Sequence, residues 1–330
     1  MRAAVAEAAN QKWSIKEIDT PKPLADQVLI KIHASGICYT DVHQTKGHLG
    51  VAFPRILGHE PVGEIVEIGA GVSSRKIGDR VGVPWVQVGC GRCEWCMRAK
   101  PNFCSQQLGT SAQLNGGHAE YMVAYADATM LIPDGLSYEQ AAPVFCAGYT
   151  VWSGLRLAEP QPAETIAVVG IGGLGHLAVQ FARAAGFRTI AVSSSPDKAE
   201  MIKKELGADL VVKDGEALAA AGGADVILCT GNSADSMTDA IKGIRPDGRL
   251  VVMGADAKPL ALSPIDLLLK RIRVLGSQQN NREHLYEALQ MVAQGKVRVF
   301  TQSFSFADVH EAYAKVEEGK VRFRAVLKLN

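Results

Sequence analysis

Apolar and polar positions change rhythm near residue 147, and the change divides the chain. Residues 1–146 carry many short strand patterns, such as 27–33 and 64–69, broken by glycine and proline clusters, which predicts a β-rich domain with long loops. Between 147 and 295, apolar runs at 166–169, 189–192, 210–212, 226–229, 250–253 and 274–275 alternate with helical patterns near 174–185, 196–206, 236–244, 264–269 and 282–294. That alternation predicts an α/β domain, a doubly wound parallel sheet with helices on both faces. The tail, 296–330, holds one more helix and a terminal strand at 325–329; its periodicity leaves open which domain it joins.

The run at 166–169 enters the turn Gly170-Ile171-Gly172-Gly173-Leu174-Gly175, which opens a helical pattern. In such a turn the first glycine permits the tight bend, the second lets backbone N–H groups approach a pyrophosphate, and the third lets the helix lie against the strand. Phosphates then sit on the helix N-terminus. The motif alone is weak evidence, but here it stands inside a complete βαβ unit whose second strand ends at Ser193, about twenty residues on, where a ribose-contacting residue is expected.

Composition narrows the partners. The chain has 330 residues, enough for two domains, with 47% hydrophobic and 21% charged residues and a net charge of +1. No basic run marks a nucleic acid or an anionic membrane as partner, and no apolar stretch approaches the length of a membrane helix or a signal peptide, so a cytoplasmic protein is expected. Four of the seven cysteines crowd into Cys90, Cys93, Cys96 and Cys104, spaced C-x2-C-x2-C-x7-C on a glycine-containing loop. Four thiolates so placed can close a tetrahedral shell around zinc with no position left for water, a structural site. Reduced cysteines in a loop are the plainer reading, and an iron–sulfur run would have a shorter last gap ending in Cys-Pro.

Cys38, His59 and Cys146 each lie beside glycine or at the end of an apolar run, where a side chain can face a cleft. Singly, each reads as packing, and spacing alone does not assemble them. Taken in order, however, G-I-C-Y-T-D-V-H, L-G-H-E-P-V-G, the four-cysteine loop, F-C-A-G-Y-T-V and V-G-I-G-G-L-G-H resemble a zinc-dependent medium-chain alcohol dehydrogenase of the bacterial and yeast branch over nearly the whole chain. The resemblance implies a GroES-like catalytic domain, 1–146, completed by the tail 296–330, and a Rossmann cofactor domain, 147–295, with the active site in the cleft against it. It implies reversible oxidation of a primary or secondary alcohol to an aldehyde or ketone, and a homotetramer, with a dimer as the alternative. Polyol, threonine and formaldehyde dehydrogenases share the fold. A zinc-stabilised nucleic-acid-binding or scaffold protein would lack the basic charge and leave the glycine turn without a role.

Carried over by residue, the resemblance implies two zinc ions: a catalytic one on Cys38, His59 and Cys146, and a structural one on the cysteine loop. Asp41 resembles the carboxylate that orients the ligand histidine. Glu60 resembles the acidic residue behind the metal, with a structural hydrogen-bond acceptor as the other reading. Thr40 would take the alcohol proton and His43 would pass it to solvent. Gly170, Gly172, Gly173, Leu174 and Gly175 would hold the cofactor pyrophosphate, and Arg324 matches an arginine that reaches the phosphates. Trp85, Phe103 and Trp152 would line or flank the substrate channel. Tyr39 stands where relatives often place Arg or His, and Asn280 where a glycine is frequent; His33, His48 and His310 read as structural.

At the end of the second strand an NAD site normally has an acidic residue for the ribose hydroxyls; this chain has Ser193-Ser194-Ser195, then Lys198. Three hydroxyls and a lysine suit a 2′-phosphate, and the pattern resembles the NADP-dependent cinnamyl-alcohol branch. NADP(H) is therefore expected over NAD(H). The competing reading is a Ser195-Pro196 helix start with an exposed lysine.

Overall fold

A computed structural model describes residues 1–195 and 198–329. The chain forms two compact units, Met1–Cys146 with Val299–Asn330, and Ala147–Arg298.

In the first unit the long strand Gln27–Ile37 is the spine, because nine of its eleven residues are buried and it pairs on both sides. Glu60–Ile68 runs antiparallel along one side; on the other, Tyr121–Tyr125 pairs with the first half and Arg324–Lys328 with the second. The terminal strand is in turn paired in parallel with Thr301–Ser305. The tail thus adds two strands to the sheet, and its Phe304, Phe306, Val309 and Leu327 join the core around Ile30, Ile32 and Leu57. Burial of that apolar surface, which the tail's own periodicity could not assign, holds it there.

The second unit is a parallel sheet in the order Leu210–Val212, Arg188–Val192, Thr165–Val169, Ala224–Cys229, Ile244–Val252, Arg273–Gly276. Thr165–Val169 is buried throughout, as a central strand covered on both faces must be. Two details depart from the periodicity. Ile244–Val252 begins well before the expected 250, because its first turns carry exposed Arg245, Pro246 and Asp247 and read as loop. The helix Gly215–Ala220, capped by Asp214 on Ala217 N–H at 2.8 Å, is too short to show a period. Of the helix expected near 196–206, Ala199–Lys204 is helical, while Pro196 and Asp197, and with them the Ser195-Pro196 start, lie outside the described residues. No helix among the described residues is long and apolar enough to cross a membrane.

Candidate active site

Three separate turns of the first unit bring Cys38, His59, Glu60 and Cys146 together, with their donor atoms within 4.8 Å of one another. Cys38 ends the spine strand and stands as N-cap of the helix Tyr39–Thr45, where Asp41, three residues on, reaches back to accept the Cys38 N–H at 2.8 Å. The cap is therefore also the device that aims the thiol. His59 follows Gly58, whose φ of +92° only glycine adopts freely, and leads into Glu60–Ile68. Cys146 sits between the 3-10 turn Ala142–Phe145 and the helix that follows.

The geometry fits an ion in the middle. Cys38 and Cys146 sulfurs are 3.8 Å apart and unbridged; two sulfurs about 2.3 Å from a tetrahedral zinc would be about 3.8 Å apart. Both ring nitrogens of buried His59 lack a hydrogen-bond partner, with Asp41 Oδ1 3.7 Å from Nδ1. A buried imidazole without partners is costly unless something else binds it. The hydrogen bond with Cys146 holds the Cys38 thiol well below the usual thiol range and pushes that of Cys146 up, so one proton is already easily lost. Burial alone would lower the His59 pKa, but the Asp41 carboxylate beside it raises it well above the usual range.

Behind this group Glu60 is fully buried and paired with Arg324. Burial raises the Glu60 carboxyl to about 7 against the pull of the guanidinium. A Cβ on Gly36 would fall 1.9 Å from Glu60 Oε2, so glycine at 36 makes the room. In front, the Trp85 ring stands edge-on to His59, 5.4 Å between centroids. The Cys38 thiol donates to the Thr40 hydroxyl oxygen at 3.7 Å, and His43 lies one turn further along the helix.

Cys90, Cys93, Cys96 and Cys104 form the second cluster, again with all donors within 4.8 Å. Backbone N–H groups of Cys93 and Gln106 point at the sulfurs of Cys90 and Cys104, at 3.4 and 3.3 Å. N–H donors from Arg92 and Cys93 bring the Cys90 thiol down to about 6.

Residues 24–134 match the alcohol dehydrogenase GroES-like domain and residues 173–294 the zinc-binding dehydrogenase domain. An alcohol dehydrogenase of Geobacillus stearothermophilus is 38% identical, with all of both chains covered, and one of Rhizobium meliloti 40% identical, covering all of this chain and 99% of that one. The solved structure of a Sorghum bicolor cinnamyl alcohol dehydrogenase superposes with a TM-score of 0.92 at 31% identity, covering 99% of this chain and 97% of that one. The chain belongs to the zinc-dependent medium-chain alcohol dehydrogenases. It is an alcohol oxidoreductase with a GroES-like and a Rossmann-like domain, acting on a small-molecule substrate with zinc and a nicotinamide cofactor.

The dehydrogenase's glycine turn fits that cofactor. Gly170 has φ +87°, and a Cβ there would lie 2.9 Å from Gly231; one on Gly175 would lie 2.0 Å from Gly170 O. Nothing stands within 4 Å of a Cβ on Gly172, which leaves that backbone bare on the side a pyrophosphate would approach. Gly173 and Leu174 complete the turn, and Leu174 is N-cap of the helix Gly175–Ala184. Ser193 closes the strand Arg188–Val192, its N–H bonded to Val212 O and its hydroxyl 3.4 Å from Ser195 N–H; Ser194 and Lys198 are exposed.

Arg324, expected at the cofactor phosphates, is only 4% exposed and has its guanidinium on Glu60, since a buried carboxylate at that position needs a cation. Trp152, expected in the substrate pocket, is core: its ring packs on Phe181 and its indole N–H donates to Glu287 at 2.6 Å. Asn280, where relatives often have glycine, ties its loop to Ser153 O and Ser277 Oγ.

His118 was not singled out by sequence reasoning. It is fully buried, tilted against Trp13 at 5.1 Å between ring centroids and bonded through Nδ1 to Ser35 Oγ at 3.0 Å, with Nε2 3.7 Å from Asp41 Oδ1. Asp41 thus lies between two imidazoles while accepting N–H bonds from Cys38 and Gly58. Only chain folding joins residue 118 to 35 and 41, so no local signal marks it. His48, read as structural, lies beside His43.

Proposed function

We propose that the enzyme reversibly oxidises a primary or secondary alcohol with NADP(H) in preference to NAD(H), using one zinc ion on Cys38, His59 and Cys146 and a second, structural ion on Cys90, Cys93, Cys96 and Cys104. The observation that carries it is the buried Cys38–Cys146 pair, 3.8 Å apart, with the unpartnered His59 ring beside it. Zinc held there would supply a Lewis acid that favours the deprotonated alcohol, and a bound nicotinamide would supply the hydride acceptor. Asp41 keeps the His59 ring aimed. The Thr40 hydroxyl receives the alcohol proton, and His43 delivers it to solvent. Glu60, held by Arg324, would place a carboxylate behind an ion bound there. Trp85 forms an apolar wall beside His59, which suits apolar or aromatic alcohols, as the name of the sorghum relative also does. Turnover of an alcohol panel with each cofactor, followed by nicotinamide absorbance, tests this directly. No turnover with any alcohol would overturn it.

The cofactor preference rests on Ser193, where an acid would repel a 2′-phosphate. Ser193→Asp is expected to shift the kcat/KM ratio toward NAD by about 2–4 kcal/mol, or roughly thirty- to a thousandfold. A wild type that already favours NAD, or a ratio the substitution leaves unchanged, removes the serines from cofactor choice.

The enzyme in this reading is a cytoplasmic homotetramer. Support comes from the short helix Pro264–Lys270, which has no buried residue and exposes Leu268 and Leu269 by 76% and 77%, next to the sheet-edge strand Arg273–Gly276. An exposed apolar helix beside an open edge is the kind of surface a subunit covers. Light scattering is expected to return four times the chain mass; the mass of a single chain at assay concentration would sink the assembly.

A further inference from the structure

We propose that His43 and His48 form a chelating site for a third divalent transition-metal ion, and that Zn2+ bound there inhibits the enzyme by occupying the outer end of the proton path. The inhibitory half rests on the reading of His43 above; the metal site does not.

The two Nδ1 atoms are 3.4 Å apart. Two imidazole nitrogens about 2.0–2.1 Å from a tetrahedral zinc ion would be about 3.4 Å apart, by the same geometry that matches the Cys38–Cys146 spacing. The rings are already held in position. His48 N–H donates to His43 O at 2.9 Å, and Gly47, at φ +77°, makes the turn that brings residue 48 back over residue 43. Tyr39 stands edge-on to the His43 ring at 5.0 Å, which limits its rotation. The nearest cation on this turn, Lys46, is engaged by Glu317 at 2.8 Å. In the resting pair one imidazole donates to the other; when an ion takes both Nδ1 lone pairs, the donor ring's proton moves through solvent to its own Nε2, so both rings stay neutral.

Accessibility separates this pair from the two cysteine-containing clusters. Cys38, His59 and Cys146 are buried, whereas His48 is exposed and His43 half-buried, so an ion added to the folded enzyme reaches them from solvent. Two neutral nitrogens leave the remaining coordination positions to water. Such an ion is held weakly enough for a mild chelator such as citrate to remove it. With Nδ1 metal-bound, His43 no longer exchanges a proton there.

Zinc is the informative probe, because its exchange at sites already filled with zinc is silent. The as-purified holoenzyme is dialysed against micromolar Zn2+ and its metal counted, beside His48→Ala treated identically. Wild type is expected to gain one more zinc per chain than His48→Ala. Its rate should fall at least about tenfold and recover with citrate, since a positioned proton-transfer group contributes about 10²–10⁴-fold and water replaces part of it. Equal zinc counts in the two proteins would overturn the site. An extra zinc in wild type with an unchanged rate would overturn the inhibition, and with it His43 as the relay's end, while the site itself would stand.

Discussion

Cys146→Ser is expected to stop turnover while leaving a folded chain with about one zinc ion, whereas Cys93→Ser is expected to lose the folded protein. The same element is lost to the same substitution in both, yet the surroundings differ. Cys146 lies 9% exposed between two helical segments, and Phe145, Ala147 and Val144 around it are wholly buried, so packing holds that backbone with or without metal. Serine nearly preserves the volume. Removing only the outer partner of a metal ligand already costs about 10–100-fold, so losing a ligand should exceed about 100-fold in rate. Around Cys93 the helix Glu94–Met97 has no buried residue, and Met97 and Phe103 are exposed by 75% and 49%. Little else packs that loop, so an ion on its four thiolates would be what holds it, and a closed structural site of that kind contributes folding free energy outright. Metal analysis and rates that come out alike for the two variants would remove the division of roles.

Thr40→Ala should lower kcat by about 10²–10⁴-fold, the usual worth of a positioned proton-transfer group. Its hydroxyl is the group beside the Cys38 sulfur, 3.7 Å away, and no water has the same fixed approach. His43→Gln should cost less, because solvent already reaches that half-buried residue. The two should separate in their pH profiles. Burial, with His48 and Lys46 adding to it, lowers the His43 pKa, so the ring is a neutral acceptor at neutral pH and gains its proton only in more acidic solution. In wild type the rate therefore declines as pH falls through a value below the ordinary histidine range, and His43→Gln should lack that limb. Wild-type kinetics in Thr40→Ala across the pH range would take Thr40 out of the mechanism.

The glycine turn was legible as a turn because its requirements are local. Gly170 needs a positive φ and Gly175 has no room for a Cβ, and both constraints act within a few residues of the sequence that carries them. The cysteine loop was legible for the same reason, since four thiols in fifteen positions can meet without help from the rest of the fold. Alternating apolar runs fixed the parallel sheet, because each strand buries itself whatever its partners are. Cys38, His59 and Cys146 were recognised only through resemblance; their meeting depends on a capped helix, a glycine bend and a helix junction far apart in sequence. Only tertiary structure decided the remaining roles. The tail joins the first sheet through backbone pairing with Gln27–Ile37 that leaves no mark on its periodicity. Arg324 sits on Glu60 and Trp152 on Phe181 and Glu287 because a buried charge and a buried indole take the partners the fold supplies. His118 between Ser35 and Asp41, and His48 over His43, are likewise contacts that no spacing announces. Sequence alone determined which chemistry the chain can do; the fold determined which side chains hold its reacting groups in place, since orientation depends on neighbours distant along the chain.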